Sequence, residues 1–331
     1  MPTLYVTEPG SRLEKDYQRL TVVNREDEVI LSVPVARVEE VALIGSVGVT
    51  TPALKQMLLK DIGFSILTVT GRLLGRLQSP FAKNVFLRRL QYQRAADPDF
   101  CCGIARDIVL GKLKNQRAMA CRMRRQRSEV DPAVVVSLAK LLRRIPACHS
   151  LSQLRGVEGQ AARLYFKIFR AALIAGWDSQ KRSRRPPRDP LNALLSLGYS
   201  LLTQNLMTAI EIAGLDPYEG FFHADQYSRP ALALDLMEEF RSIIVDSVVM
   251  NLINRRVLVT DDFLVQAEDG CRLTDKGLRK FLMAYTARVQ TAVIHPFAGR
   301  KISYQKCFEV QARIMRRAIE KDEPYRPFQT R

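Results

Sequence analysis

Over the first 78 residues, apolar positions recur at every second place in short β-branched runs: "TLYVT", "RLTVVN", "EVILSVPV", "VEEVALIG" and "FSILTVTG". Turn-forming stretches separate them, so the pattern predicts a small sheet. One helix interrupts it at "TPALKQMLLKD", with Thr51 as the expected N-cap and Pro52 in the first turn. "TVTGRLLGRLQSP" reads as a hairpin. From Asn84 onward the apolar period lengthens to that of helices, through "NVFLRRLQYQ", "GIARDIVLGKLKNQRAMACRMRRQR", "PAVVVSLAKLLRRI" and "SQLRGVEGQAARLYFKIFRAALI". Four more helical runs follow, including "ALALDLMEEFRSIIVDSVVMNLINR" read as one long helix. The predicted fold class is therefore α+β. A small N-terminal β-sheet domain (1–78) and a linker (79–83) precede a larger all-α catalytic domain (84–322). The pattern leaves order and disorder both open for the C-terminal tail, 323–331.

Composition adds a partner class. The chain has 331 residues, 47% of them hydrophobic, enough for one large or two ordinary domains. Its 51 lysines and arginines against 34 acids give a net charge of +17, which favours a polyanion. Charge alone is satisfied equally by DNA, RNA or an anionic membrane. No apolar run of about 18 residues appears, and the amino terminus lacks the basic and apolar regions of a secretory leader; the expectation is a soluble, intracellular protein. The six cysteines form no CxxC pair and no ladder suggestive of zinc or disulfides. No repeat of solenoid period is present.

The positive charge is concentrated. Between Lys83 and Arg127, twelve lysines and arginines face three acids, and Arg122, Arg124 and Arg125 close that run. A basic helical face this long can follow a duplex, so DNA is the favoured partner, with plain surface solvation as the other reading. A second concentration, "WDSQKRSRRPPRDP", carries Lys181, Arg182, Arg184, Arg185 and Arg188 in a proline-containing loop suited either to a phosphate backbone or to solvent.

Against this background, "HADQYSRPALALDLMEEF" places Asp235, Glu238 and Glu239 within four residues on a helix whose neighbours are leucines, a methionine and a phenylalanine. Semi-buried carboxylates need a cation, a proton or an arginine. Glu158 stands between Gly156 and Gly159 on another predicted helix, and small residues there permit close approach of an element or a substrate backbone. Taken with His223, the set Glu158, Asp235 and Glu238 offers hard oxygen donors plus one imidazole, suited to Mg2+ or Mn2+. The same residues also fit a salt-bridged helix with an unrelated histidine. His149 and His295 have no carboxylate cluster beside them and are expected at a helix end or in packing. Asp246, two turns beyond Glu238, is expected to meet an arginine.

"LRGVEGQAARLYF", "PPRDPLNALLSLGYSLL" and "HADQYSRPALALDLMEEFRSIIVDSVVMNLINR" resemble the signature segments of the CRISPR-associated Cas-one (Cas1) integrases. The sheet region and "NVFLRRLQYQ" resemble that family too, so the similarity covers nearly the whole chain. It implies a homodimer formed through the β-domains, a prokaryotic cytoplasmic setting, and a complex with the small Cas-two (Cas2) protein. It further implies that short prespacer duplexes are inserted into the CRISPR repeat by metal-dependent transesterification, with branched-DNA cleavage as the same chemistry. By motif, the family's ion ligands fall on Glu158, His223 and Glu238, with Asp235 an additional or supporting carboxylate. Glutamate stands at 238 where relatives often carry aspartate, and Ser242 where proline is common. A stand-alone metal-dependent nuclease and a noncatalytic nucleic-acid scaffold are the alternatives.

Overall fold

The computed structural model describes residues 3–77, 84–177, 186–223, 227, 229–266 and 270–330. The linker 79–83 and the basic residues Lys181, Arg182, Arg184 and Arg185 lie outside the described residues. The chain divides into two compact units. One gathers Met1–Ala82, Lys181–Leu201 and Val257–Thr286; the other gathers Lys83–Gln180, Leu202–Arg256 and Ala287–Arg331. The expected division is linear, whereas in this grouping two later segments fall with the amino-terminal unit, because helical periodicity identifies a helix but not its packing partner.

In the first unit, β1 (Thr3–Val6), β5 (Glu40–Ile44) and β7 (Gly63–Leu67) run parallel, and β8 (Leu73–Leu77) returns antiparallel to β7 as the expected hairpin. A second sheet is the meander β2 (Arg12–Asp16), β3 (Arg19–Val23) and β4 (Val29–Pro34), with β6 (Gly48–Val49) parallel to β2. Alternation turns Leu13, Leu20, Val22 and Val33 of the meander inward with Leu4, Val41, Leu43 and Phe64 of the other sheet. Ala53 and Met57 of α1 (Thr51–Leu59) complete that shared core. The cap of α1 is Thr50, one residue before the expected Thr51, and its side chain makes no capping bond. The unit also contains an antiparallel ribbon that the apolar pattern did not reveal, β9 (Phe263–Gln266) with β10 (Gly270–Leu273).

The second unit is mainly helical: α2 (Val85–Ala95), α3 (Pro98–Gln126), α4 (Pro132–Arg144), α5 (Leu151–Ala171), α7 (Ala231–Arg241), α8 (Ser247–Asn254) and α10 (Tyr304–Lys321). Two further helices, α6 (Pro190–Ile212) and α9 (Asp275–Gln290), are divided between the units. Asn84, Asp97, Asp131 and Ser150 cap α2, α3, α4 and α5 with their side-chain oxygens. The 29-residue α3 is the spine, packing on α4, α5 and α7. A short ribbon, β11 (Ala292–Ile294) with β12 (Lys301–Ser303), precedes α10.

The long helix expected over 231–255 is interrupted. A π-turn at Ser242–Asp246 separates α7 from α8. The carbonyl of Ile243, within this π-turn, accepts from Ser247 Oγ and, at 2.9 Å, from Arg288 Nε. The C-terminal tail is ordered: Tyr325 and Phe328 are buried, and Asn115 Nδ2 donates to the Phe328 carbonyl at 2.8 Å while its Oδ1 accepts from Thr330 N. No described helix is long and apolar enough to cross a membrane.

Candidate metal centre

The site lies wholly within the helical unit, where α3, α5 and α7 meet. Along α3 the inward stripe runs Ala105, Ile108, Lys112, Asn115 and Met119, at helical spacing and all buried. A lysine in that stripe must be compensated. Lys112 Nζ bonds the Glu158 carboxylate from α5 and stands 2.6 Å from Glu238 Oε2 on α7. Lys112 and Glu238 expose only 4% and 3% of their side chains, against 24% for Glu158, so Glu158 forms the open edge of the site. Lys112 is thus the cation facing the buried Glu238 Oε2.

His223 is held from behind. Asp235 Oδ2 accepts the backbone N–H groups of Phe221 and Phe222 at 2.7 and 3.0 Å, and Oδ1 accepts His223 N at 2.9 Å and His223 Nδ1 at 2.7 Å. A carboxylate on Nδ1 keeps the proton there and leaves the Nε2 lone pair free, the arrangement typical of a metal-binding imidazole. His223 Nε2 lies 3.7 Å from Glu238 Oε1. Of the two roles expected of Asp235, additional ligand or supporting carboxylate, its fully buried side chain and its bonds to the 221–223 loop suit the second. Gly220 permits this packing, since a Cβ there would sit 2.8 Å from the Ala231 backbone and 2.9 Å from Asp235 Oδ2. Arg155 anchors the same loop by donating to the Phe222 carbonyl at 2.9 Å.

The three clustered acids of α7 are stabilised in three different ways. Asp235 has amides and an imidazole. Glu238 has cations: burial pushes its carboxyl up, but Arg241 at 3.2 Å and Lys112 lead the opposing attraction and bring it to about 2. Glu239 has a proton. Burial pushes it up to about 8, even though Tyr325, the Phe328 amide and Gln311 all donate to it.

Glu158, Glu238 and His223 therefore converge, with Lys112 and Arg241 among them. Among the described residues no three His, Cys, Asp or Glu side chains already stand in metal-ligand geometry, and Lys112 Nζ bridges two of the carboxylates. The donor set still fits a hard divalent ion: an ionised buried glutamate, a second glutamate at the open edge, and an imidazole whose Nε2 faces Glu238. A Cβ at Gly156 or Gly159 would meet nothing within 4 Å among the described residues, so the helix is open at those two positions flanking Glu158.

Lys112 and Arg241 were missed as site residues. For Lys112 a signal existed, a basic residue in the apolar stripe of α3. Asp246 accepts the Tyr165 hydroxyl at 2.8 Å, a contact not anticipated. His149 is exposed at the start of α5, and His295 is buried in packing against Phe328, both as expected. Arg122, Arg124 and Arg125 are exposed on the last turns of α3. Arg188 lies in the other unit.

The family model for CRISPR associated protein Cas1 matches residues 4–287. A Thermus thermophilus CRISPR-associated endonuclease Cas1 is 37% identical over 99% of this chain and 97% of its own. A Geobacter sulfurreducens Cas4 exonuclease/Cas1 endonuclease fusion is also 37% identical, but the present chain spans only 59% of it. Among solved structures, a chain of a Cas6-RT-Cas1–Cas2 complex superposes with a TM-score of 0.84 at 28% identity, over 99% of this chain and 36% of that one. A casposase bound to its integration product shares the fold, with a TM-score of 0.88 at 24% identity over 99% and 93% of the two chains.

Proposed function

This chain belongs to the CRISPR-associated Cas1 family, and from that premise we propose that it is a divalent-ion-dependent DNA integrase and endonuclease of CRISPR adaptation. The observation that carries the reading is the convergence of His223 Nε2 on Glu238 at 3.7 Å, beside the Lys112 bridge to Glu158. Glu158, His223 and Glu238 would hold Mg2+ or Mn2+, with Lys112 yielding its place. When bound, such an ion neutralises charge on a phosphoryl oxygen and lowers the pKa of a coordinated hydroxyl or water.

The chain's own residues prepare that site. Asp235 fixes the His223 tautomer, Arg241 and Lys112 keep Glu238 ionised, and the open helix positions flanking Glu158 leave room for a strand. In integration, the 3′-hydroxyl oxygen of a short prespacer duplex bonds to a phosphorus of the repeat. The existing P–O3′ bond breaks and the departing oxygen takes up a proton, so no phosphodiester is lost. Hydrolysis of branched DNA substitutes water for that hydroxyl.

Three features support the partners. The net charge of +17 and the exposed arginines closing α3 suit a duplex. Strand β4 lies at the edge of its sheet with Val29, Ile30 and Leu31 exposed, a surface suited to homodimerisation with a second copy. The similarity to a chain of a Cas1–Cas2 assembly supports Cas2 as the further partner.

The test mixes the full chain, Cas2, Mn2+ and a labelled duplex with a repeat-containing plasmid. Joining of label to the plasmid is expected, and it should vanish in Glu158→Ala and His223→Ala while both variants still bind duplex. Undiminished joining in either variant would overturn the assignment.

A further inference from the structure

The C-terminal segment 323–330 has no regular secondary structure, yet it is fastened to the two helices that carry Lys112 and Glu238. On α3 and α7 it touches Gly111, Lys114, Asn115, Glu239 and Phe240, each within three residues of Lys112 or Glu238. A Cβ at Gly111 would lie 2.5 Å from Pro327 Cβ, so the segment crosses α3 beside Lys112 at a distance that only glycine allows. Phe328, almost wholly buried, stacks on Phe240 with ring centroids 5.1 Å apart and meets Tyr304 edge to face at 6.0 Å.

Asn115 ties the three pieces together. Its Nδ2 donates to the Glu239 carbonyl of α7 at 2.9 Å and to the Phe328 carbonyl at 2.8 Å, while its Oδ1 accepts Thr330 N at 3.0 Å. The Glu239 side chain returns the connection, accepting Phe328 N at 2.7 Å and the Tyr325 hydroxyl. The segment is thus a second cross-link between α3 and α7, beside the Lys112–Glu238 contact and independent of it. When Lys112 yields its place to an ion, its own link between the helices goes, and Glu158 and Glu238 repel until the ion joins them. The second link remains.

We propose that segment 323–330 is a positioning strap for the metal centre, holding α3 against α7 while Lys112 withdraws and so keeping Glu238 where an ion can join it to Glu158 and His223; this rests on the divalent-ion reading above. Asn115 and Phe328 act through the two helices and touch neither the ion nor the reacting strand. Coupling between two sites is reciprocal. An ion that binds better when the strap is seated must therefore seat the strap more firmly.

The experiment combines, on the full chain, calorimetric titration with Mn2+, hydrogen exchange of the 323–330 amides, and duplex affinity in metal-free buffer. Phe328→Ala removes the ring between Phe240 and Tyr304. It should speed exchange at Thr330 and lower Mn2+ affinity by roughly 10–100-fold, the range for residues that support a ligand, with duplex affinity unchanged. Phe328→Leu, which refills the space, should recover most of that loss. In the parent, Mn2+ should slow exchange at Phe328 and Thr330 by the factor that loss of the strap takes from Mn2+ affinity. Should circular dichroism show Phe328→Ala unfolded, Tyr325→Phe deletes only the hydroxyl on Glu239 and should show a smaller loss of the same kind. Full Mn2+ affinity in a folded variant whose 323–330 amides exchange freely would overturn the strap and leave the integrase reading intact. So would exchange in the parent that ignores Mn2+, or a matching loss of duplex affinity, the mark of general unfolding. A parent that binds no Mn2+ would overturn both.

Discussion

Lys112 Nζ stands 2.6 Å from Glu238 Oε2, with both side chains almost wholly excluded from solvent, and the same ammonium bonds Glu158. An internal cation thus compensates the carboxylates that the proposed ion would use. Removing one partner of a buried pair typically costs roughly 3–5 kcal/mol. Lys112→Met should therefore lower the melting temperature in metal-free buffer. Mn2+ should then recover more of it in the variant than it adds to the parent. Equal shifts on adding Mn2+ would show that the lysine and the ion do not share the site.

Asp235 acts through His223 rather than on an ion. Asp235→Asn cannot accept a proton-bearing Nδ1 with the same charge assistance, so the ring loses its fixed tautomer. Supporting residues of this kind typically contribute 10–100-fold to metal affinity. Calorimetric titration with Mn2+ should show a loss of about that size with the circular-dichroism spectrum unchanged; full affinity would remove Asp235 from the account.

Gly220 leaves no room for a methyl group between Ala231 and Asp235. Overpacking of this kind costs about 1–3 kcal/mol. Gly220→Ala should lower the urea midpoint and weaken Mn2+ binding together, since the displaced carboxylate is the one that orients His223. A stability loss with Mn2+ affinity preserved would separate the two.

Glu239 is the titrating group of the tail contact. Its folded-state pKa is raised to about 8 from the ordinary 4.5. The folded chain therefore keeps a proton that the unfolded chain releases. Its contribution to stability is whole below about pH 4.5 and is lost as pH rises through about 8. Urea midpoints measured across that window should fall with rising pH in the parent and flatten in Glu239→Gln. Parallel slopes would contradict the assignment.

Much of this was legible in the sequence, for identifiable reasons. Alternation in "RLTVVN" and helical spacing in α3 and α5 follow from burial on one face, and the structure has those elements there. Asp235 and Glu238 stood out as acids among apolar neighbours and Glu158 by its flanking glycines, while the choice of Glu158, His223 and Glu238 as ligands came from the family resemblance. The compensator was harder to see: Lys112 looked like one of twelve basic residues until its place in the apolar stripe of α3 was fixed. The separate fates of Asp235, Glu238 and Glu239 were not legible, since amides from the 221–223 loop, Lys112 of α3 and Tyr325 of the tail reach them only in three dimensions, although the Glu238–Arg241 pair is a local one at helical spacing. The ribbons β9–β10 and β11–β12 were missed because each strand is three or four residues long, too short for a period to register.

The most direct test is anomalous diffraction from crystals of the full chain grown with Mn2+ and a duplex. A manganese peak contacted by Glu158, His223 Nε2 and Glu238, with the Lys112 ammonium withdrawn from between the carboxylates, is the predicted result. A manganese ion bound elsewhere on the helical unit, with Lys112 still bridging Glu158 and Glu238 beside the DNA, would contradict the account.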